Sequence, residues 1–286
     1  CGDCKAKLIS GQVEKTLRSD YVFSGLEKSE NHLLMCANAA LSDVELDVLE
    51  AGSAEEIPET TIPIKVRKIE RPADGIVILR AKTPRTKRLR FLAGQYVRLS
   101  VEGGPAADCA IASCPCDDMN LEFHIPRQDD SPFSVHVHDR LGPSDSLILE
   151  GPKGKFILRD EAPGKPVFIA WGTGFGPVKS LIEHVMSLES ATSIRLFRGG
   201  PGESATYLDN LCRSWDDALD EFHYRTVRGD DPAVLLGVLD EELTDLGSSK
   251  VYMVGPDELL EAAKSKCTDR GLEQDVCFLE PLRCGR

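Results

Sequence analysis

The 286-residue sequence has no excess of positive charge: 34 Lys and Arg stand against 47 Asp and Glu, a formal net charge of −13. That balance argues against a chain built to grip phosphate backbones, which needs a basic face. No uninterrupted apolar stretch approaches the roughly 18 residues of a membrane span. The longest, PVFIAW, is only strand-sized. Also lacking are a leader-type segment at the start, a P-loop, a Ser–His–Asp arrangement, a paired-carboxylate signal, internal repeats and low-complexity tracts. Membrane, nucleic-acid and hydrolytic-triad functions are thereby set aside, and a cytoplasmic protein is the expectation. The first residue is Cys1 rather than methionine, so the sequence reads as part of a longer chain.

What is present begins with cysteine. There are 10, far from the density of a small secreted scaffold. Cys1 and Cys4 form a CxxC pair, and Cys36 follows after 31 residues. Such a pair in a chain of this size favours a reduced setting with metal or redox use of some thiols. Two ligand sets are open at this level: an iron–sulfur cluster on Cys1, Cys4 and Cys36, or zinc with His32 as a further ligand. Of the remaining cysteines only Cys114 and Cys116, a CxC, are closely spaced; the others read as inert buried thiols.

Composition and periodicity divide the chain. Residues 1–50 form one unit: AKLISGQVEK reads as strand, turn and strand, then a charged loop, then an apolar run ending in the alternating strand VELDV. Residues 51–61 are small, acidic and turn-rich, a linker. From 62 to 160 short strands recur: PIKVRKIE, GIVILRAK, QYVRLSV, CAIAS, LEFHIPR, SVHVHDRL, SLILEG and GKFIL, the pattern of an antiparallel barrel. This places His124, His136 and His138 on barrel strands, as surface or satisfied core residues. The basic run TPRTKRLR reads as a solvated hairpin. From 161 to 286 strands alternate with amphipathic helices, the signature of a parallel, doubly wound sheet. Its first strand runs into GTGFGP, with Pro177 at a helix start. The expected class is therefore α+β and multidomain, with a nucleotide-binding α/β domain last.

Three segments carry a resemblance. CGDCKAKLISGQVE with LLMCANAALSDVELDV is similar to the latter part of a plant-type ferredoxin module of the β-grasp fold. FLAGQYVRLSV with LEFHIPR and LILEGPKGKFIL resembles the flavin barrel of the ferredoxin–NADP reductase superfamily, and PVFIAWGTGFGPVKSLIEHVM with VYMVGPDELLEAA its nicotinamide domain. The order resembles that of oxygenase reductases and deoxysugar (CDP-glucoseen) reductases. The resemblance implies electron transfer from NAD(P)H through FAD to a [2Fe–2S] cluster, then to a partner oxygenase or dehydratase. It implies Cys1, Cys4 and Cys36 as cluster ligands. The plant-type spacing would put one more cysteine five residues before Cys1.

The resemblance also implies Ser134 and the backbones of Ala110 and Ile125 at the flavin. Gly172, Thr173, Gly174, Gly255 and Pro256 would lie at the nicotinamide nucleotide. The family's Arg-x-Tyr-Ser fingerprint, however, falls on Ala107-Asp108-Cys109-Ala110, and Pro132 removes a donor from the second one. Arg127 is the candidate substitute for the missing charge. Two functions stay open: a working reductase component, or a reductase fold without a competent flavin site, serving as redox regulator or structural subunit.

Overall fold

The computed structural model describes all residues except 1–3, 20, 49–56, 86, 160–163, 190, 244–245, 247–248, 273–275 and 283–286. Cys1 and part of the expected linker thus lie outside the described residues.

The N-terminal region is built from β1 (Lys5–Ser10), β2 (Val13–Lys15), α1 (Gly25–Ser29), β3 (His32–Leu34), β4 (Asn38–Ala40) and β5 (Glu45–Asp47). The two strands of AKLISGQVEK do not pair with each other: β1 is flanked by β3 and β5, and β2 pairs with β4. The stretch read as a charged loop contains α1. Its sequence shows why, since Ser24 and Glu27 form a capping box, with the Ser24 hydroxyl and the Glu27 carboxylate each meeting the other's backbone N–H.

A six-stranded antiparallel sheet follows: β6 (Thr60–Ala73), β7 (Ile76–Lys82), β8 (Tyr96–Ser100), β9 (Ala106–Ala110), β10 (Asn120–Pro126) and, after α2 (Pro132–Asp139), β11 (Ser146–Lys153). Its order is β10-β7-β6-β11-β8-β9. The sheet curls until its two edges approach, where Ala112 N–H donates to the Glu122 carbonyl at 2.8 Å. Alternate residues Ile62, Ile64 and Val66 on β6, Val97 and Leu99 on β8, and Leu121, Phe123 and Ile125 on β10 fill the interior.

Three expected strands need correction. SVHVHDRL lies mostly in α2, so His136 and His138 are helical. Ser131 accepts the Ser134 N–H, Pro132 takes the first helical position, and Phe133 and Val137, spaced by four, are buried. The alternation of valine and histidine had imitated a strand. GKFIL is irregular, and only the first two residues of CAIAS belong to β9. The described residues of TPRTKRLR carry no strand of a hairpin, and among them Leu89 is buried at 0% exposure.

The last sheet is parallel. It comprises β12 (Val167–Trp171), β13 (Ile194–Gly200), β14 (Phe222–Arg228), β15 (Val251–Gly255) and β16 (Cys277–Pro281), in the order β14-β13-β12-β15-β16. Between the strands come α3 (Phe175–Leu188), α4 (Asp209–Ala218), α5 (Ala233–Glu242) and α6 (Asp257–Asp269). Phe168, Leu196 and Tyr252 pack with Leu181 and Val185 of α3 and Cys212 of α4. Ile169, Phe197 and Met253 pack with Leu235 of α5 and Leu260 of α6. With helices on both faces, β12 and β15 are buried at every residue, which is why VFIAW and VYMVG read as unbroken apolar runs. Among the described residues no helix is long and apolar enough to cross a membrane.

Candidate functional site

The central strand β12 has β13 on one side and β15 on the other, so the chain departs in opposite directions from its carboxyl end. Ligands in open α/β sheets bind at such a switch point. The turn there is Gly172-Thr173-Gly174, leading straight into α3. Gly172 has φ +52°, a left-handed conformation that glycine adopts freely. A Cβ on Gly174 would sit 2.9 Å from the Val254 carbonyl oxygen and 3.1 Å from Leu282 Cδ2. Helix α3 begins two residues before Pro177, which still falls within the first turn, where its missing N–H leaves no bond unmade.

A cleft of about 740 Å³ opens in front of this turn. Trp171, Gly172, Thr173 and the Pro201–Ser204 segment form one wall, and Asp74, Gly75, Arg127 and Gln128 of the curled sheet form the other. The turn glycines, the free space and the helix start suit a dinucleotide pyrophosphate. Gly255 and Pro256, the other nucleotide candidates, lie where β15 ends and α6 begins, and the Gly255 carbonyl accepts Leu282 N–H at 3.2 Å.

Beside the cleft, Tyr96, Ala110, His124, Gly174, Pro177, Val254 and Leu282 surround a space of only about 10 Å³. That volume holds about one water molecule. Of the flavin candidates, Ala110 borders this space. The Ile125 side chain points into the barrel core, and its carbonyl lies 3.2 Å from His138 Nε2. The Ser134 hydroxyl donates to the Pro126 carbonyl at 2.8 Å and accepts Gln128 N–H at 2.9 Å. Arg127 is held by Asp129 at 2.8 Å and Asp139 at 2.5 Å, which push its pKa up. Ala107 and Cys109 point into the barrel core at 1% exposure. Asp108, on the outer face, faces Arg98 at 3.3 Å. The one fingerprint cation, Arg127, is engaged by Asp129 and Asp139, and Ala107-Asp108-Cys109-Ala110 supply no other positive charge for the pyrophosphate of FAD.

Sequence reasoning missed the charged seam between the barrel and α3. Strand β10 is buried on both faces, one against the barrel core and the other against α3. On the second face Glu122 and His124 meet Lys179. Glu122 accepts from His124 Nε2 at 2.9 Å and from Lys179 at 3.3 Å, and Arg80 lies 3.0 Å from its other oxygen. His124 Nδ1 lies 2.9 Å from the Tyr207 hydroxyl. Burial drives the His124 pKa down, so the ring is neutral. It therefore donates from Nε2 to the carboxylate and accepts from Tyr207 at Nδ1. Burial raises the Glu122 pKa, but the His124 bond and the charges of Lys179 and Arg80 outweigh it and hold the carboxyl at about 2. Lys179 Nζ also donates to the Ala112 carbonyl at 3.2 Å, and Ser180 Oγ to the Ser113 carbonyl at 2.7 Å. The available signal was polar residues in LEFHIP and PVKSL at positions where both elements are otherwise apolar.

Arg198, near the expected nucleotide site, points inward instead. It lies 3.8 Å over the Phe175 ring and donates to the Tyr207 carbonyl at 2.9 Å.

In the N-terminal region Cys4 precedes β1 and Cys36 lies in the short 3₁₀ turn after β3, with their sulfurs 2.8 Å apart. The Cys4 contact raises the Cys36 pKa. Two converging thiols suit a thiolate-held iron–sulfur cluster. His32 is turned to the Glu27 carbonyl at 3.2 Å. Among the described residues no three His, Cys, Asp or Glu side chains converge as a metal site, and Cys1, common to both ligand sets, lies outside them.

Residues 168–265 match the oxidoreductase NAD-binding domain family. The chain is 31% identical to the CDP-6-deoxy-L-threo-D-glycero-4-hexulose-3-dehydrase reductase of Yersinia pseudotuberculosis, over 97% of this chain and 85% of that protein. It is 26% identical to the terephthalate 1,2-dioxygenase reductase component 2 of Comamonas sp., over 95% and 82%. Among solved structures, an Amycolatopsis cytochrome P450 reductase shares the fold with a TM-score of 0.69 at 22% identity, covering 98% of this chain and 87% of that one.

Proposed function

Because the chain belongs to the ferredoxin–NADP reductase superfamily, with the Yersinia dehydrase reductase as a relative along nearly its whole length, we propose that it is the electron-transfer reductase component of a multiprotein system. It takes electrons from NADH or NADPH at the Gly172–Gly174 turn. By way of a bound flavin they would pass to a [2Fe–2S] centre that Cys1, Cys4 and Cys36 would hold, and then to an oxygenase or dehydratase. Residues 1–50 serve as a partial β-grasp ferredoxin module, 62–160 as the barrel and 161–286 as a doubly wound nucleotide domain.

The observation that carries the reading is the glycine turn at the switch point, opening on a cleft of about 740 Å³. There the chain's own residues bind and orient: Gly172 and Thr173 present the turn backbone to the pyrophosphate, Gly174 lets the turn pack closely on Val254, and Trp171 and the Pro201–Ser204 segment bound the pocket. Orientation is the main protein contribution to hydride chemistry. A flavin, when bound, supplies the division of an electron pair into single electrons.

A second reading rests on the occupied state of Arg127 and Ser134 and the inward Ala107 and Cys109. It is a reductase fold without tightly held flavin, acting as a regulator or structural subunit. The discriminating experiment is reduction of cytochrome c by NADH or NADPH, with the protein reconstituted with iron and sulfide, with and without added FAD, alongside its visible spectrum. Nucleotide-dependent turnover is the result expected of the first reading. Iron–sulfur absorbance with no nucleotide-dependent reduction at saturating FAD would leave the second.

A further inference from the structure

Cys114 and Cys116 have no place in the scheme above. They lie in the loop between β9 and β10, joined as a disulfide with Cα atoms 5.2 Å apart, within the ordinary range for such a bond. The turn that carries them is fixed without the sulfurs. Pro115 occupies its second position, which suits a proline φ, and Asp117 N–H donates to the Cys114 carbonyl at 3.1 Å. The Asp117 carboxylate then accepts Asn120 N–H at 3.1 Å. The two thiols are thus placed for bonding before any bond forms.

They differ in access. Cys114 is 6% exposed, whereas Cys116 is open to solvent. Cys116 N–H donates to Cys114 Sγ at 3.3 Å, a contact that stabilises charge on that sulfur. The ring they close spans two residues of separation. It therefore constrains the unfolded chain little, unlike a long-range structural disulfide. An accessible sulfur, a stabilised leaving sulfur and a small ring are the properties of a labile bond.

The loop also bears on the site. Ala112 and Ser113, just before Cys114, carry the carbonyls that receive Lys179 and Ser180 of α3. That helix begins at the dinucleotide turn.

We propose that Cys114 and Cys116 form a reversible redox site, a disulfide opened by an external dithiol, and that its state sets how firmly Ala112 and Ser113 hold α3. One thiolate of the dithiol attacks Cys116 Sγ. A mixed disulfide forms there, the Cys114–Cys116 bond breaks, and Cys114 leaves as a thiolate that takes a proton from water. The second thiolate of the dithiol attacks its own partner sulfur in the mixed disulfide and expels Cys116 as a thiolate, which is protonated in turn. The dithiol has lost two electrons and two protons, and the protein disulfide has gained them.

The test uses the native protein equilibrated with graded mixtures of reduced and oxidised dithiothreitol, then alkylated and mapped by mass spectrometry. The expected result is paired labelling of Cys114 and Cys116 that appears and disappears together and reversibly, while buried Cys109 and Cys212 stay unlabelled. Hydrogen exchange on the same two states is expected to show several-fold faster exchange over 175–182 in the reduced form. Cys116→Ser, an exposed substitution, should exchange like the reduced form under all mixtures. Two thiols that never couple under oxidising mixtures, or a bond that survives excess dithiol, would overturn the redox site. Identical exchange in the two states would overturn its link to α3.

Discussion

Replacing Lys179 by methionine removes the cation at the centre of the seam between α3 and the barrel while keeping most of the side-chain volume. Lys179 is 8% exposed and bonds the Ala112 carbonyl, Glu122 at 3.3 Å and Glu183 at 2.7 Å. Removing one partner of a buried ion pair costs about 3–5 kcal/mol. Glu122 retains Arg80 at 3.0 Å and His124 at 2.9 Å, which places Lys179→Met at the low end, about 3 kcal/mol. For a chain of this size that is a fall in Tm of roughly 6–12 °C.

The pH dependence gives a second, independent check. The Glu122 carboxyl sits at about 2 instead of 4.5. Its pKa is depressed in the folded protein, so its contribution is fully present above 4.5 and is lost as pH falls towards 2. At 1.36 kcal/mol per pH unit this comes to at most roughly 3 kcal/mol, since neutral His124 adds no charge to the depression. In Lys179→Met the folded carboxyl titrates at higher pH, so the gap between variant and parent narrows below pH 4.5. Urea unfolding at several pH values, followed by circular dichroism and tryptophan fluorescence, measures both effects. A loss below about 1 kcal/mol at pH 7, or a gap independent of pH, would refute the argument that Lys179 neutralises Glu122.

Gly174→Val should displace the turn, because the new side chain collides with the Val254 carbonyl, and so weaken NADH or NADPH binding by at least about tenfold together with a measurable fall in Tm; unchanged affinity would remove the turn from the binding site. Cys36→Ser is expected to abolish the electron paramagnetic resonance signal of the reconstituted cluster at little cost to stability, Cys36 being exposed. Asp139→Asn frees one side of Arg127 and should tighten FAD binding by about tenfold in fluorescence titration; no change would mean that Arg127 does not face the cofactor. His124→Phe should flatten the acid limb of stability that begins below about pH 6.5, because the buried neutral imidazole resists protonation that the unfolded chain accepts.

Wherever one period ruled, the architecture could be read from residues alone. VFIAW and VYMVG are continuous apolar runs because both faces are covered, and the glycine turn follows from the need for close approach. Reading failed where two periods coincide. In PFSVHVHD, Val135 and Val137 satisfy a strand alternation, but Ser131, Pro132 and the Phe133–Val137 spacing satisfy a helix, and tertiary burial chose the helix. Contacts between distant segments left no local trace. Nothing within LEFHIP says that Glu122 and His124 meet Lys179, since that depends on where α3 lands. The inward turn of Ala107 and Cys109 is likewise a matter of strand register, which a fingerprint aligned by residue type cannot supply.

Arg198 deserves a last consequence. A guanidinium with 1% exposure has surrendered its hydration, and its surroundings replace that loss only as a set: the Phe175 ring, the Tyr207 carbonyl and the Cys212 sulfur. Phe175 is the first residue of α3. Partial loosening of that corner would strand a cation in an apolar interior, so intermediate positions are penalised more heavily than either seated or fully opened ones. The nucleotide-facing end of the helix is therefore expected to behave as a latch with two settings, indifferent to small disturbances and released only by large ones.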